Sequence, residues 1–230
     1  MGRTIVVGDV HGCSWELGAL LDRVGFTTGD HLVFVGDLVA RGPDSLGVLD
    51  IARSTGATIV RGNHEQKLLD WRENDAQLGR LHEDLASSLR EVDWTLLETS
   101  PFWCDLPEHG LRVVHAGVLP RVPIEKQHHQ VLLTLRTIGH RGEPAGRNGT
   151  LWGKLYRGAP HLAFGHNAMP GLQLHPWATG LDTSCVYGGR LSALVLADGE
   201  KVARGKERRL KQIVSQPARR VWFEPKNRAA

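Results

Sequence analysis

The chain predicts a single α/β domain built on a parallel sheet, and three observations lead there. Three short apolar, largely β-branched runs, Thr4–Val7, Leu32–Val35 and Thr58–Val60, alternate with two stretches of helical periodicity, the order β-α-β-α-β. Each run stops at glycine-bearing loops that carry polar, metal-compatible side chains: Gly8–Asp9–Val10–His11–Gly12, Gly36–Asp37 and Arg61–Gly62–Asn63–His64–Glu65. At 230 residues and 41% hydrophobic, the chain can bury one substantial core without disulfides or metals as staples.

Taken in order, Thr4–Val7 reads as a buried strand, because parallel strands covered on both faces are continuous apolar runs. Ser14 is placed to cap a helix running to Val24, with Leu17, Leu20, Leu21 and Val24 on one face. After the second strand, Asp44–Ser54 reads as a helix closed by Gly56. Residues 65–99 have helical spacing, with Leu78, Leu81, Leu85 and Leu89 expected on the apolar face. Phe102–Leu106 and Leu111–His115 flank a Pro-Glu-His-Gly turn as a hairpin, and a helix is expected around Ile124–Ile138. A Gly- and Arg-rich loop runs to Gly158, and His161–Gly165 is a strand delivering His166. Leu172–His175, Thr179–Ser184 and Leu191–Leu196 complete the strands, with Ala197–Glu200 as a turn. The domain is drawn at 1–204, with 205–230 as a basic extension packed on it or trailing from it.

Three scattered cysteines, Cys13, Cys104 and Cys185, form no CxxC pair, which argues against a disulfide framework and for a reducing compartment. No apolar run can span a bilayer, and the first strand starts too early for a signal peptide, so a cytoplasmic protein without a membrane partner is expected. The net charge of +3 is uneven: residues 201–230 hold 10 Lys/Arg against 2 Asp/Glu. A non-catalytic module binding nucleotide or RNA through that tail would bind polyanions steeply with salt and release no phosphate.

The strand ends together supply Asp9, His11, Asp37, Asn63, His115 and His166. Open α/β sheets place ligands at this carboxyl edge. Six oxygen and nitrogen donors suit two divalent ions, Asp9, His11 and Asp37 holding one, and Asp37 (bridging), Asn63, His115 and His166 the other. Mixed carboxylate, imidazole and amide donors favour Mn, with Co, Fe, Zn or Ni as alternatives. Such a pair remains cationic and attracts phosphate, generating the nucleophile and holding attacking and leaving oxygens.

GDVHG at 8–12, GDLVARG at 36–42, GNHE at 62–65, HAG at 115–117 and Gly165–His166 together resemble the signature of the calcineurin-like metallophosphoesterases. More narrowly they resemble the phosphoprotein phosphatase group, which holds Ser/Thr protein phosphatases and bacterial symmetrical diadenosine tetraphosphatases. The resemblance implies a four-layer α-β-β-α sandwich, the six residues above as metal ligands, Arg41 on phosphate, and catalytic His64 facing the leaving group. The segment Leu132–Arg136 resembles one that supplies a substrate-facing arginine in the tetraphosphatase branch, which would make Arg136 a second phosphate contact.

Protein phosphatases of this group usually carry Asp where this chain has Ala40, and that carboxylate orients the GNHE histidine. Without it His64 should be a weaker proton donor. That matters little for a phosphoanhydride, whose leaving phosphate is weakly basic (second pKa about 6), and much for a serine alkoxide. GDLVARGP and the block Leu181–Gly189 are also similar to the tetraphosphatases, whereas GNHE matches the protein phosphatases. The expected activity is therefore symmetrical hydrolysis of diadenosine tetraphosphate to two ADP, with phosphoprotein or capped RNA as alternative substrates. Arg61, Arg147, Lys154 and Arg157 are weaker candidates for the outer phosphates, and Trp152 and Trp177 for stacking on adenine.

Overall fold

The computed structural model describes residues 2–74, 76–169 and 171–224. In chain order the elements are β1 (Thr4–Val7), α1 (Ser14–Val24), β2 (His31–Phe34), α2 (Ser45–Ser54), β3 (Thr58–Ile59), α3 (Asn63–Asn74), α4 (Arg80–Ser88), α5 (Glu91–Glu98), β4 (Trp103–Leu106) and β5 (Leu111–Val114). There follow α6 (His129–Thr134), β6 (Thr137–Ile138), β7 (Thr150–Leu151), α7 (Trp152–Leu155), β8 (His161–Phe164), β9 (Gln173–Leu174), β10 (Ala178–Gly180), β11 (Arg190–Leu196), α8 (Lys206–Leu210) and β12 (Ile213–Pro217).

Two five-stranded sheets carry the fold, ordered β12-β11-β1-β2-β3 and β4-β5-β8-β10-β9. Strands β1, β2 and β3 are parallel in the first sheet, and β5, β8 and β10 in the second. The sheets face each other. Val6, Val33, Val35 and Leu194 from one meet Val113, Ala163 and Leu181 from the other side of a shared apolar layer. Because side chains alternate along a strand, Ile5 and Val7 point the opposite way, onto α1, α2, α3 and α5 through Leu17, Leu20, Leu49, Leu68 and Leu97. The outer face of the second sheet is covered by α6, α7 and neighbouring loops through Leu132, Ile124 and Trp152. This is the four-layered α-β-β-α sandwich that the motifs implied.

The helical region 65–99 is divided among three helices; Leu78, Leu85 and Leu89 pack on the core, whereas Leu81 is 40% exposed while His82 and Ala86 are buried. The helix expected around Ile124–Ile138 is only α6, since the chain at Thr137 already pairs with Leu151. Residues beyond 204 supply α8 and the edge strand β12, which pairs antiparallel with β11. Further on, the backbone N–H of Arg219 and the indole N–H of Trp222 both donate to Oε1 of the buried Glu16 in α1.

Candidate metal centre and active site

The loops that leave β1, β2, β3, β5 and β8 converge at one edge between the two sheets. Their backbone is unusual there: His11, Asp37, Ala40, Arg41 and His166 all have φ between 48° and 70°. Left-handed backbone costs a residue with a Cβ on the order of 1 kcal/mol, so five such residues at one centre mark stored strain. Glycine permits the close approaches that accompany it. A Cβ on Gly165 would fall 1.8 Å from Asp9 Oδ1, and one on Gly62 would fall 2.3 Å from Asp37 Oδ1.

Asp37 stands at the middle. Its carboxylate lies 3.6 Å from His11 Nε2 on one side and 3.5 Å from His115 Nε2 on the other. Ligand atoms of His11, Asp37 and His64 all fall within 4.8 Å of one another, as do those of Asp37, His115 and His166. Both groups share Asp37. Asn63 Oδ1 reaches His115 Nε2 at 3.1 Å. Asp9 is buried beside them, its two oxygens accepting the His166 backbone N–H at 3.1 and 3.0 Å. All six strand-end donors named from the sequence are therefore brought to one place; the tighter group on the first side includes His64 rather than Asp9.

The donor set fits divalent ions. His11 Nδ1 faces the Val39 carbonyl at 3.1 Å and His115 Nδ1 faces the Val35 carbonyl at 3.0 Å. A carbonyl only accepts, so each ring carries its proton on Nδ1 and turns the Nε2 lone pair to the centre. His115 Nε2 and Asn63 Oδ1 then meet lone pair to lone pair, an arrangement that needs a cation. His166 Nε2 is buried with no hydrogen-bond partner. Burial also pushes the three ligand-candidate rings, His11, His115 and His166, below the ordinary histidine range, which keeps them neutral and able to ligate.

Charge points the same way. Burial raises Asp37 and Asp182 each to about 6 and Asp9 well above the usual carboxylate range. Asp9 also feels the repulsion of Asp182 and Asp37, and Asp182 that of Asp37, so cations are what would let them ionise. Asp182, from the Leu181–Gly189 block, is a member of this site that no strand-end pattern singled out.

Two arginines approach. Arg41 Nη1 is 2.6 Å from His11 Nε2 and its guanidinium lies over the Tyr187 ring at 5.7 Å. Arg136 is close enough for its charge to lower Asp37, while burial in turn lowers its own pKa. A groove of about 300 Å³ includes Arg41, Pro43, Asp44, Leu81, Asp84 and Leu85. Another, of about 270 Å³, includes Arg136, Gln130, Thr134 and Pro144.

Other candidates are placed elsewhere. Trp152 is 1% exposed, packs on Phe164 and donates its indole N–H to the Ala116 carbonyl, so it is core and not a platform for adenine. Trp177 faces Arg204, whose guanidinium sits 4.6 Å from its ring. Arg61 is spent on the end of α5, donating to the Glu98 and Ser100 carbonyls and stacking on Phe102. Arg147, Lys154 and Arg157 are exposed.

Glu65 and His82 were missed as parts of the site. Glu65 is fully buried and accepts four backbone N–H groups, from Asp37, Leu38, Val39 and Gly62, between 2.8 and 3.3 Å. The final residue of GNHE thus clamps two ligand loops together. His82 Nε2 lies 3.0 Å from His64 Nδ1.

A sandwich whose strand tips gather carboxylates, neutral imidazoles and an amide around one shared aspartate defines the metal-dependent phosphoesterases. The chain belongs to the calcineurin-like phosphoesterase family, whose model matches residues 2–197. It is 29% identical, over 86% of its length and 92% of the relative's, to the asymmetrical bis(5′-nucleosyl)-tetraphosphatase PrpE of Anoxybacillus flavithermus. It is 40% identical over 142 residues, 57% of this chain and half of the relative, to the symmetrical bis(5′-nucleosyl)-tetraphosphatase of Shewanella oneidensis. A crystal structure described as a candidate diadenosine tetraphosphatase superposes with a TM-score of 0.81 at 37% identity, covering 94% of both chains. A yeast protein serine/threonine phosphatase shares the fold, with a TM-score of 0.59 at 16% identity.

Proposed function

We propose that this chain hydrolyses a phosphoanhydride of a dinucleoside tetraphosphate. Asp37 would bridge two divalent ions, with Asp9, His11, Asn63, His115 and His166 completing the set. Those ions supply a hydroxide nucleophile and charge neutralisation, the family's dinuclear chemistry. The protein's own groups do the rest. Arg41 and Arg136 engage non-bridging phosphate oxygens bidentately, and His64 hands a proton to the departing oxygen. Mn is the first ion to test; Co, Fe, Zn and Ni suit the same donors.

The single observation that supports this substrate is a pair of grooves, each lined by one of the two arginines, Arg41 and Arg136, whose charge reaches Asp37. A polyphosphate with a nucleoside at either end has two halves to place, whereas a phosphoserine side chain has one. The tetraphosphatase relatives favour the same reading.

Where the chain is cut follows from product identity. The relative matched over most of this chain is named asymmetrical, so ATP plus AMP is the first reading. The expected symmetrical cut to two ADP is the second, favoured by the higher identity over the shorter match. Chromatography of the products from Mn-loaded protein separates them. Faster turnover of a phosphoserine peptide than of the dinucleotide would instead favour a protein phosphatase, and release of a 5′ cap a role on RNA.

A further inference from the structure

His64 is gripped by two other rings. His11 meets it edge-on, with centroids 4.8 Å apart at 78°, and His82 stacks on it at 5.0 Å and 25°. The His82 contact is also polar, Nε2 to Nδ1 at 3.0 Å. Among the described residues no carboxylate bonds to the His64 ring. The partner instead comes from α4, where His82 is 6% exposed although its neighbour Leu81 is turned outward. A helix that exposes a leucine and buries a histidine gives up apolar burial for a specific polar contact.

We infer that His82 is the positioning residue for His64, holding its ring by the Nε2···Nδ1 hydrogen bond so that His64 Nε2 faces the leaving oxygen. The inference rests on the reading of this site as a phosphohydrolase in which His64 assists departure. With Nδ1 of His64 held against His82 Nε2, Nε2 is the ring nitrogen left to face the substrate. A neutral imidazole accepts this hydrogen bond more weakly than a carboxylate would, so the pair suits departing groups that need little proton help.

The test uses the full chain as wild type, His82→Ala, His82→Gln and His64→Ala. With Mn loaded, kcat is measured on phenyl phosphate and on p-nitrophenyl phosphate, whose leaving group is the better one. His82→Ala should lower kcat on phenyl phosphate about tenfold or more, and on p-nitrophenyl phosphate by less than about threefold, with partial recovery in His82→Gln, whose amide oxygen can accept from Nδ1–H. In metal-free protein, ¹⁵N imidazole spectra should show His64 (assigned by its absence in His64→Ala) as a single Nδ1–H tautomer that becomes averaged in His82→Ala. Equal losses on both esters, or an unchanged His64 tautomer without His82, would overturn the inference. If His64→Ala itself shows no leaving-group dependence, the proton-donor reading of His64 fails, and the tautomer result still decides whether His82 positions the ring. Should His82→Ala not fold, His82→Leu, which fills the space without offering an acceptor, is compared with wild type and carries the same outcomes.

Discussion

Oε2 of Glu65 accepts the backbone N–H of Asp37 at 2.8 Å, so the residue shared by both ligand groups is set by a carboxylate bonded to main-chain amides. The same oxygen takes the Gly62 N–H at 2.9 Å, and Oε1 takes those of Leu38 and Val39. One side chain therefore fixes the loops after β2 and β3 relative to each other.

Glu65→Gln replaces one acceptor oxygen with an amide that points hydrogens at backbone donors. Leaving one or two buried N–H groups unpaired should cost about 2–4 kcal/mol, read as a lower midpoint in urea unfolding of metal-free protein. An unchanged midpoint would mean that the clamp does not hold these loops.

Asp37→Asn keeps the shape and the acceptor for the His64 backbone N–H while removing the charge. Bound Mn should fall to roughly one ion or fewer per chain by equilibrium dialysis with metal analysis, and kcat should drop by more than the about 10–100-fold typical of outer partners of a metal site. Retention of two ions would refute the bridging role.

Arg136→Ala removes a half-buried guanidinium beside the centre. KM for the dinucleoside tetraphosphate should rise about tenfold or more, the loss of one charge-assisted contact, while KM for p-nitrophenyl phosphate rises less. Equal rises would place Arg136 on the reacting phosphate itself.

His161 gives a pH dependence away from the centre. Burial lowers it to about 3, and its Nε2 lies 2.9 Å from Thr179 Oγ1 with Arg209 nearby. Its unfolded value is about 6.5, so between these limits the unfolded chain holds the extra proton. Stability is complete above about pH 6.5 and falls on acidification toward pH 3, by about 1.4 kcal/mol per pH unit for one proton. Urea midpoints across that window should fall less steeply in His161→Gln than in wild type.

The clustering of the candidate ligands was legible because each donor follows a strand, where a residue's position follows from the local pattern. Asp9, Asp37 and His166 could be placed together without knowing any tertiary contact beyond the sheet edge. Asp182 was harder: it follows β10, a strand of three residues whose start the sequence placed one residue late. His82 was illegible for a different reason. Of the leucines at 78, 81, 85 and 89, Leu78, Leu85 and Leu89 pack on the core and Leu81 turns outward, but nothing in that spacing says that His82 meets His64, 18 residues away. Glu65 could be read as an acid of the motif, yet nothing local says that its four partners are main-chain amides on two loops. Trp152 was misplaced because a Gly- and Arg-rich neighbourhood suggests a surface, whereas the ring is drawn inward to Phe164.

The final strand has a practical side. Glu16 sits in the first turn of α1, which begins two residues after Gly12, and it is kept company by two donors from residues 219 and 222. Shortening the chain after Arg204 would strip those donors from an interior acid and bare the Arg190–Leu194 part of β11 along one flank. The trimmed protein would then be prone to self-association and loosened at the helix that follows Asp9 and His11, so residues 205–224 are better treated as part of the packed fold than as an appendage.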